Sequence, residues 1–186
     1  MKGNFVNLSE VVESLCRAAP SVTALESQGV PHCDAIKMAE SYCPPVRALP
    51  RPAVASLGVL GQLLAQYECG DLEIGMVRFY SDPVIRDRVW LVGQVETDAL
   101  VVDTETGEVR VEEEGSGGRI LWRCAMDGDC FVASLVVAAD YFGQVGAKPE
   151  LWKDAALCRR TVSRCAEVAG GSQYGGFFQM LLGADK

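Results

Sequence analysis

The residues from 100 to 112 leave this chain little choice of local structure. Leu100, Val101 and Val102 form an apolar run, Asp103-Thr104-Glu105-Thr106-Gly107 follows, and residues 108–112 then alternate charge with Val109 and Val111. Two β-prone runs around a short polar stretch with a glycine predict a hairpin, because Gly107 reaches positive φ at little steric cost. The same signal repeats on both sides. Residues 72–79 alternate, residues 88–95 pack Val89, Trp90, Leu91 and Val92 into a continuous apolar run, and residues 120–124 supply another after the loop 115–118. Five apolar segments joined by short turns predict an antiparallel meander of about five to six strands.

The flanks carry a helical period instead. Asn7 with Glu10 resembles a capping pair, and Leu8, Val11, Val12 and Leu15 recur at helical spacing until Pro20. Val54, Leu57, Leu60, Leu64 and Tyr67 line a second helical face that stops before Gly70. Between these helices, residues 19–51 carry five prolines and Gly29, which predict an ordered connection around a short helix at 34–42. After the sheet, Phe131, Leu135, Ala138, Ala139 and Phe142 share one face. Val162, Cys165, Ala166 and Ala169 do the same before Gly170-Gly171, and Tyr174, Phe177, Phe178, Leu181 and Leu182 form a last apolar face. The expected architecture is α+β, an antiparallel meander packed against helices, in one domain spanning 1–186.

Composition narrows the function classes. The net charge of −8 disfavours direct nucleic-acid binding and suits a basic protein partner. The longest uncharged apolar run, 131–139, falls short of the roughly 20 residues a bilayer demands, and residues 1–8 lack the apolar stretch of a signal peptide. A cytoplasmic protein without a membrane span is expected. Eight cysteines lie scattered without a C-x-x-C pair, so buried reduced thiols are expected rather than a metal site. No glycine-rich phosphate loop is present, and no cofactor is expected.

Two positions invite a catalytic reading. His32, the single histidine, stands beside Cys33, but adjacent side chains rarely converge, and a loop histidine is the simpler expectation. Asp127-Gly128-Asp129-Cys130-Phe131 places a thiol at the first turn of a helix, where the dipole favours a thiolate. This segment resembles the D-G-x-C box of ovarian-tumour (OTU) cysteine proteases. That family's histidine follows its cysteine, whereas no histidine occurs here after position 32. An OTU-like hydrolase using Cys130 therefore requires a fold that brings His32 to it, and the expectation is that no residue is catalytic.

A second resemblance covers about half of the chain. The apolar run around Trp90-Leu91-Val92-Gly93, then Leu100-Val101-Val102-Asp103, then Thr106-Gly107-Glu108-Val109, resembles the signature region of the SUKH superfamily. The helix from Phe131 to Tyr141-Phe142 fits the family's next element, and Leu49-Pro50 with the helix to Tyr67 fits its upstream region. The resemblance implies a SUKH-like core at about 49–145 with a helical C-terminal extension at about 150–184. It further implies a non-catalytic bacterial immunity protein that binds and neutralises a toxin domain, often a basic nuclease. A regulatory adaptor of the same fold is the blander alternative. An acidic inhibitor of a basic toxin would present Glu96, Asp98, Glu105, Glu108, Glu112, Glu113 and Glu114 on the meander, with Asp127 and Asp129 nearby.

Overall fold

The structure is a computed structural model that describes residues 7–184, so residues 1–6 of the segment read for a signal peptide lie outside it. Asn7 caps α1 (Leu8–Ala18) by accepting from the Ser9 N–H, and Leu8, Val11, Leu15 and Ala18 form its buried face. The following segment holds more helix than its prolines predict. Ser21 caps the short α2 (Val22–Ser27), and α3 (His32–Glu40) begins directly after Pro31 rather than at Asp34. A six-residue helix is too short to display a period, and the fixed φ of proline suits a helix entry as well as a loop. His32 thus heads a helix, exposed, with Nδ1 2.7 Å from Glu26 Oε1.

One turn of 3-10 helix at Ala55–Leu57 leads into α4 (Gly58–Gln66). The end of α4 is tied down by Arg47, which is only 4% exposed. Its Nε donates to the Leu64 carbonyl at 3.1 Å, one Nη donates to the Ser81 carbonyl at 2.6 Å, and the other pairs with Glu68 at 2.7 Å. A carbonyl left open at a helix C-terminus is a natural place for a cation. Through it the connection before α4 is bound to both α4 and the sheet.

The sheet runs in the order β1 (Glu73–Ile74), β2 (Val77–Arg86), β3 (Val89–Val95), β4 (Asp98–Asp103), β5 (Val109–Glu112) and β6 (Ile120–Ala125), each antiparallel to the next. The meander is the expected one, with one correction. Residues 72–79 are not a single strand, because a turn at Gly75 and Met76 divides them, and β2 continues through Pro83. The pairing of β2 with β3 shifts between Phe79 and Val84, and β3 is irregular again between Leu91 and Gly93. There the backbones close in: a Cβ on Gly93 would lie 2.1 Å from the Arg78 carbonyl oxygen.

One buried cluster reaches from Leu8 to Leu182. The inward residues of the sheet, among them Val77, Phe79, Val92, Leu100, Val102, Val109 and Val111, meet the apolar faces of the helices there. At its centre lies α5 (Gly128–Ala147), packed on α1, α4 and α6 (Ala155–Ala169). By length and composition alone α5 could cross a bilayer, yet Phe131, Leu135, Ala138 and Ala139 are sealed in the cluster. Phe131 stacks edge-on against Phe79 of β2 and lies 6.3 Å from Phe177 of α7 (Gly175–Leu182). Fully burying such a ring contributes about 2–3 kcal/mol. All eight cysteines are free thiols. Cys69, Cys124, Cys158 and Cys165 are buried as expected, but Cys16, Cys43 and Cys130 are half-buried and Cys33 is exposed.

Candidate functional site

The hairpin between β4 and β5 organises the carboxylates around it. Asp103 Oδ1 accepts from the N–H groups of Glu105 at 2.9 Å and Thr106 at 2.8 Å, closing the turn, and Gly107 adopts φ 77°. Its Oδ2 accepts from Arg110 at 2.9 Å, and Arg110 also donates to Glu112 at 2.8 Å. The Thr106 N–H, with the Glu105 N–H and Arg110, holds the Asp103 carboxyl down at about 2. The aspartate that ends the apolar strand is therefore a turn-forming residue.

The nine candidate carboxylates divide into three groups. At the hairpin end, Glu105 pairs with Arg88, while Glu108 accepts from Arg123 at 3.0 Å and lies 3.5 Å from the Tyr174 hydroxyl. Glu112 is engaged with Arg110 along the strand. Asp127 and Asp129 serve helix starts: Asp127 Oδ1 accepts from Cys130 N–H at 2.8 Å, and Asp129 Oδ1 accepts from Val59 N–H at 2.5 Å across to α4. A carboxylate at a helix N-terminus satisfies an otherwise open donor and faces the positive end of the dipole. Asp129 is thus drawn into the packing of α4 on α5.

At the opposite end of the meander the pattern changes. The β3–β4 turn carries Glu96, and the β5–β6 loop carries Glu113 and Glu114; the pairing of Ala99 with Glu112 sets turn and loop side by side. Asp98 Oδ1 accepts from Glu114 N–H at 3.1 Å, which fixes their contact. Glu113 pairs with Arg119 at 3.2 Å. Among the described residues no cation pairs with Glu96, Asp98 or Glu114. Of the four carboxylates, Glu113 alone pairs with a cation among the described residues. Glu96 itself sits at φ 54°, a conformation that costs a non-glycine residue about 1–2 kcal/mol.

Around Cys130 the geometry opposes an activated thiol. Burial, then the charge and hydrogen bond of Asp127 and the charge of Asp129, push the thiol up to about 12. The helix dipole expected to favour a thiolate is outweighed by burial, and then by the two aspartates that cap helices beside it. His32 faces Glu26 on the α2–α3 unit, so the structure does not bring it to Cys130 as a base. No group of three or more histidine, cysteine or acidic side chains is placed to hold a metal among the described residues.

The arginine partners went unread in the sequence, although their signal was present. Arg110 alternates with Val109 and Val111, so once the hairpin register is set it shares a face with Asp103 and Glu112. An apolar cleft of 580 Å³, between α2, α3 and the C-terminal part of α5, had no such signal. Leu25, Met38, Tyr42, Phe142, Val145 and Trp152 line it, from segments far apart in the chain. Comparison with known proteins finds no matching family model, no matching curated protein and no matching solved structure.

Proposed function

We propose that this chain is a non-catalytic binding module that docks a basic protein surface on the end of the meander formed by the β3–β4 turn and the β5–β6 loop. The observation that carries this reading is the charge asymmetry of the sheet. Arginines neutralise the hairpin end, whereas among the described residues no cation pairs with Glu96, Asp98 or Glu114 at the other. Glu96 strengthens the argument, because a turn that glycine would occupy more cheaply instead presents a carboxylate, and strain retained on a surface points to use. Unpaired carboxylates steer a basic partner and fix its register.

The SUKH resemblance supplies the kind of partner: a toxin domain, such as a nuclease with a basic substrate groove, neutralised by an immunity protein. The test is titration of the purified chain against the toxin encoded beside it. The double change Glu96→Lys and Glu114→Lys should weaken the complex about 10- to 100-fold, while Glu105→Lys at the hairpin end should change it less than about threefold. The variant Glu96→Gly should weaken binding and raise Tm together. Unchanged affinity in the double variant, or absence of binding and protection by the wild-type chain, overturns the proposal.

A further inference from the structure

The apolar cleft of 580 Å³ between α2, α3 and the end of α5 lies within the size range of small-molecule sites. Leu25, Met38, Phe142, Val145 and Trp152 form its walls, and two of these, Met38 of α3 and Trp152 of the 3-10 turn Pro149–Lys153, stay about half exposed. Tyr42 lies among them with only 8% of its surface exposed, and its hydroxyl makes no hydrogen bond among the described residues. No enclosed side-chain oxygen or nitrogen in those residues lacks a partner, so this hydroxyl must reach open space, and the cleft is the space that Tyr42 lines. The other polar side chains at the cleft are engaged. Gln28 Nε2 donates to the Gly146 carbonyl at 2.6 Å, the Ser41 hydroxyl donates to the Met38 carbonyl at 2.9 Å, and Arg78 holds both oxygens of Glu73, at 2.9 and 3.1 Å.

We propose that this cleft is a binding site for an uncharged, largely apolar small molecule whose carbonyl oxygen accepts a hydrogen bond from the Tyr42 hydroxyl. Covering Met38 and Trp152 with such a ligand removes apolar surface from water, and the unbranched thioether of Met38 adjusts to the ligand's outline. Burial, and then the charge of Glu73, push the Tyr42 hydroxyl up to about 12, so it keeps its proton at neutral pH and donates. The charge of the ligand follows from the same walls. Among the described residues no lysine or arginine lines the cleft, so a carboxylate or phosphate entering it would lose water without gaining a cation. An ammonium would have to take Glu73 from Arg78. A neutral acceptor meets neither cost.

The test titrates the full chain into 6-propionyl-2-(dimethylamino)naphthalene, an uncharged fluorescent aryl ketone, and then displaces this probe with 2-octanone, octanoate or octylamine at neutral pH. The wild-type chain should bind the probe saturably, in a one-to-one complex with blue-shifted emission. The uncharged 2-octanone should displace it at concentrations at least about 10-fold lower than either charged analogue. Tyr42→Phe keeps the buried ring, removes only the hydroxyl, and should weaken the probe and 2-octanone about 3- to 10-fold. Trp152→Ala, at a half-exposed wall position, should weaken both by a similar factor. The double change Glu96→Lys and Glu114→Lys, at the end of the meander, should leave both unaltered, which separates this site from the protein-docking surface. No saturable binding to the wild-type chain, displacement by octanoate or octylamine as effective as by 2-octanone, or full affinity in Tyr42→Phe or in Trp152→Ala overturns the proposal. The charge series on the wild-type chain and Trp152→Ala decide it even if Tyr42→Phe folds poorly.

Discussion

Replacing Asp103 by asparagine separates the charge of the turn from its shape. The amide keeps an oxygen for the Glu105 and Thr106 N–H groups but loses the ionic bond from Arg110. Holding the carboxyl at about 2 instead of its ordinary 3.8 means that the unfolded chain binds the proton more tightly than the folded one. The stabilisation is therefore complete above the unfolded value, declines below about pH 4, and is lost as pH falls through about 2. The full shift corresponds to roughly 2.4 kcal/mol, and solvent screening at this partly exposed strand end reduces it to about 1–2 kcal/mol. Urea unfolding followed by tryptophan fluorescence should show wild type more stable than Asp103→Asn by that amount at pH 7. The gap should shrink below pH 4 and close near pH 2, since all other carboxylates titrate alike in both proteins. A gap of equal size at pH 7 and about pH 2, or none at pH 7, refutes the reasoning.

Arg47→Met should cost about 2–4 kcal/mol in chemical denaturation, because it leaves the Leu64 carbonyl without its charged donor, takes the nearer of two arginines from the Ser81 carbonyl and strips Glu68 of its partner; a loss below about 1 kcal/mol would contradict the anchoring role. Gly93→Ala should lower Tm by about 4–10 °C, since its methyl group meets the Arg78 carbonyl and the strands must part; an unchanged melt would deny the close approach. Cys130 should react with iodoacetamide at pH 8 at least about 100-fold more slowly than free cysteine, and labelling as fast as free cysteine would revive a nucleophilic role.

The sheet was legible because its signals are local: alternation, short turns and one glycine-bearing hairpin all act within a few residues. The larger helices were legible for the same reason. What escaped depends on contacts between distant segments. Nothing near Arg47 in the chain announces that the Ser81 carbonyl will accept its hydrogen bond, and nothing near Asp129 announces that it will cap a helix 70 residues earlier in the chain. The acidic surface was readable only as composition. Which carboxylates meet an arginine follows from the register, and that register assigns Glu108 and Glu112 to internal pairs while leaving Glu96 and Glu114 apart. Trp152 and Met38 face the same cleft only after the α2–α3 unit has folded against α5.

The shortness of β1 bears on how this protein meets others. Beyond its two residues, the margin of β2 would stand open as a template for a foreign strand, but the chain obstructs it at residues 81–83. Arg47 and Arg51 occupy the Ser81 carbonyl, Arg51 pairs with Asp82, and Pro83 has no N–H to offer. A visiting peptide, or a second copy, would find the Ser81 acceptor taken and no donor at Pro83. Strand addition is thereby discouraged at this stretch of the rim.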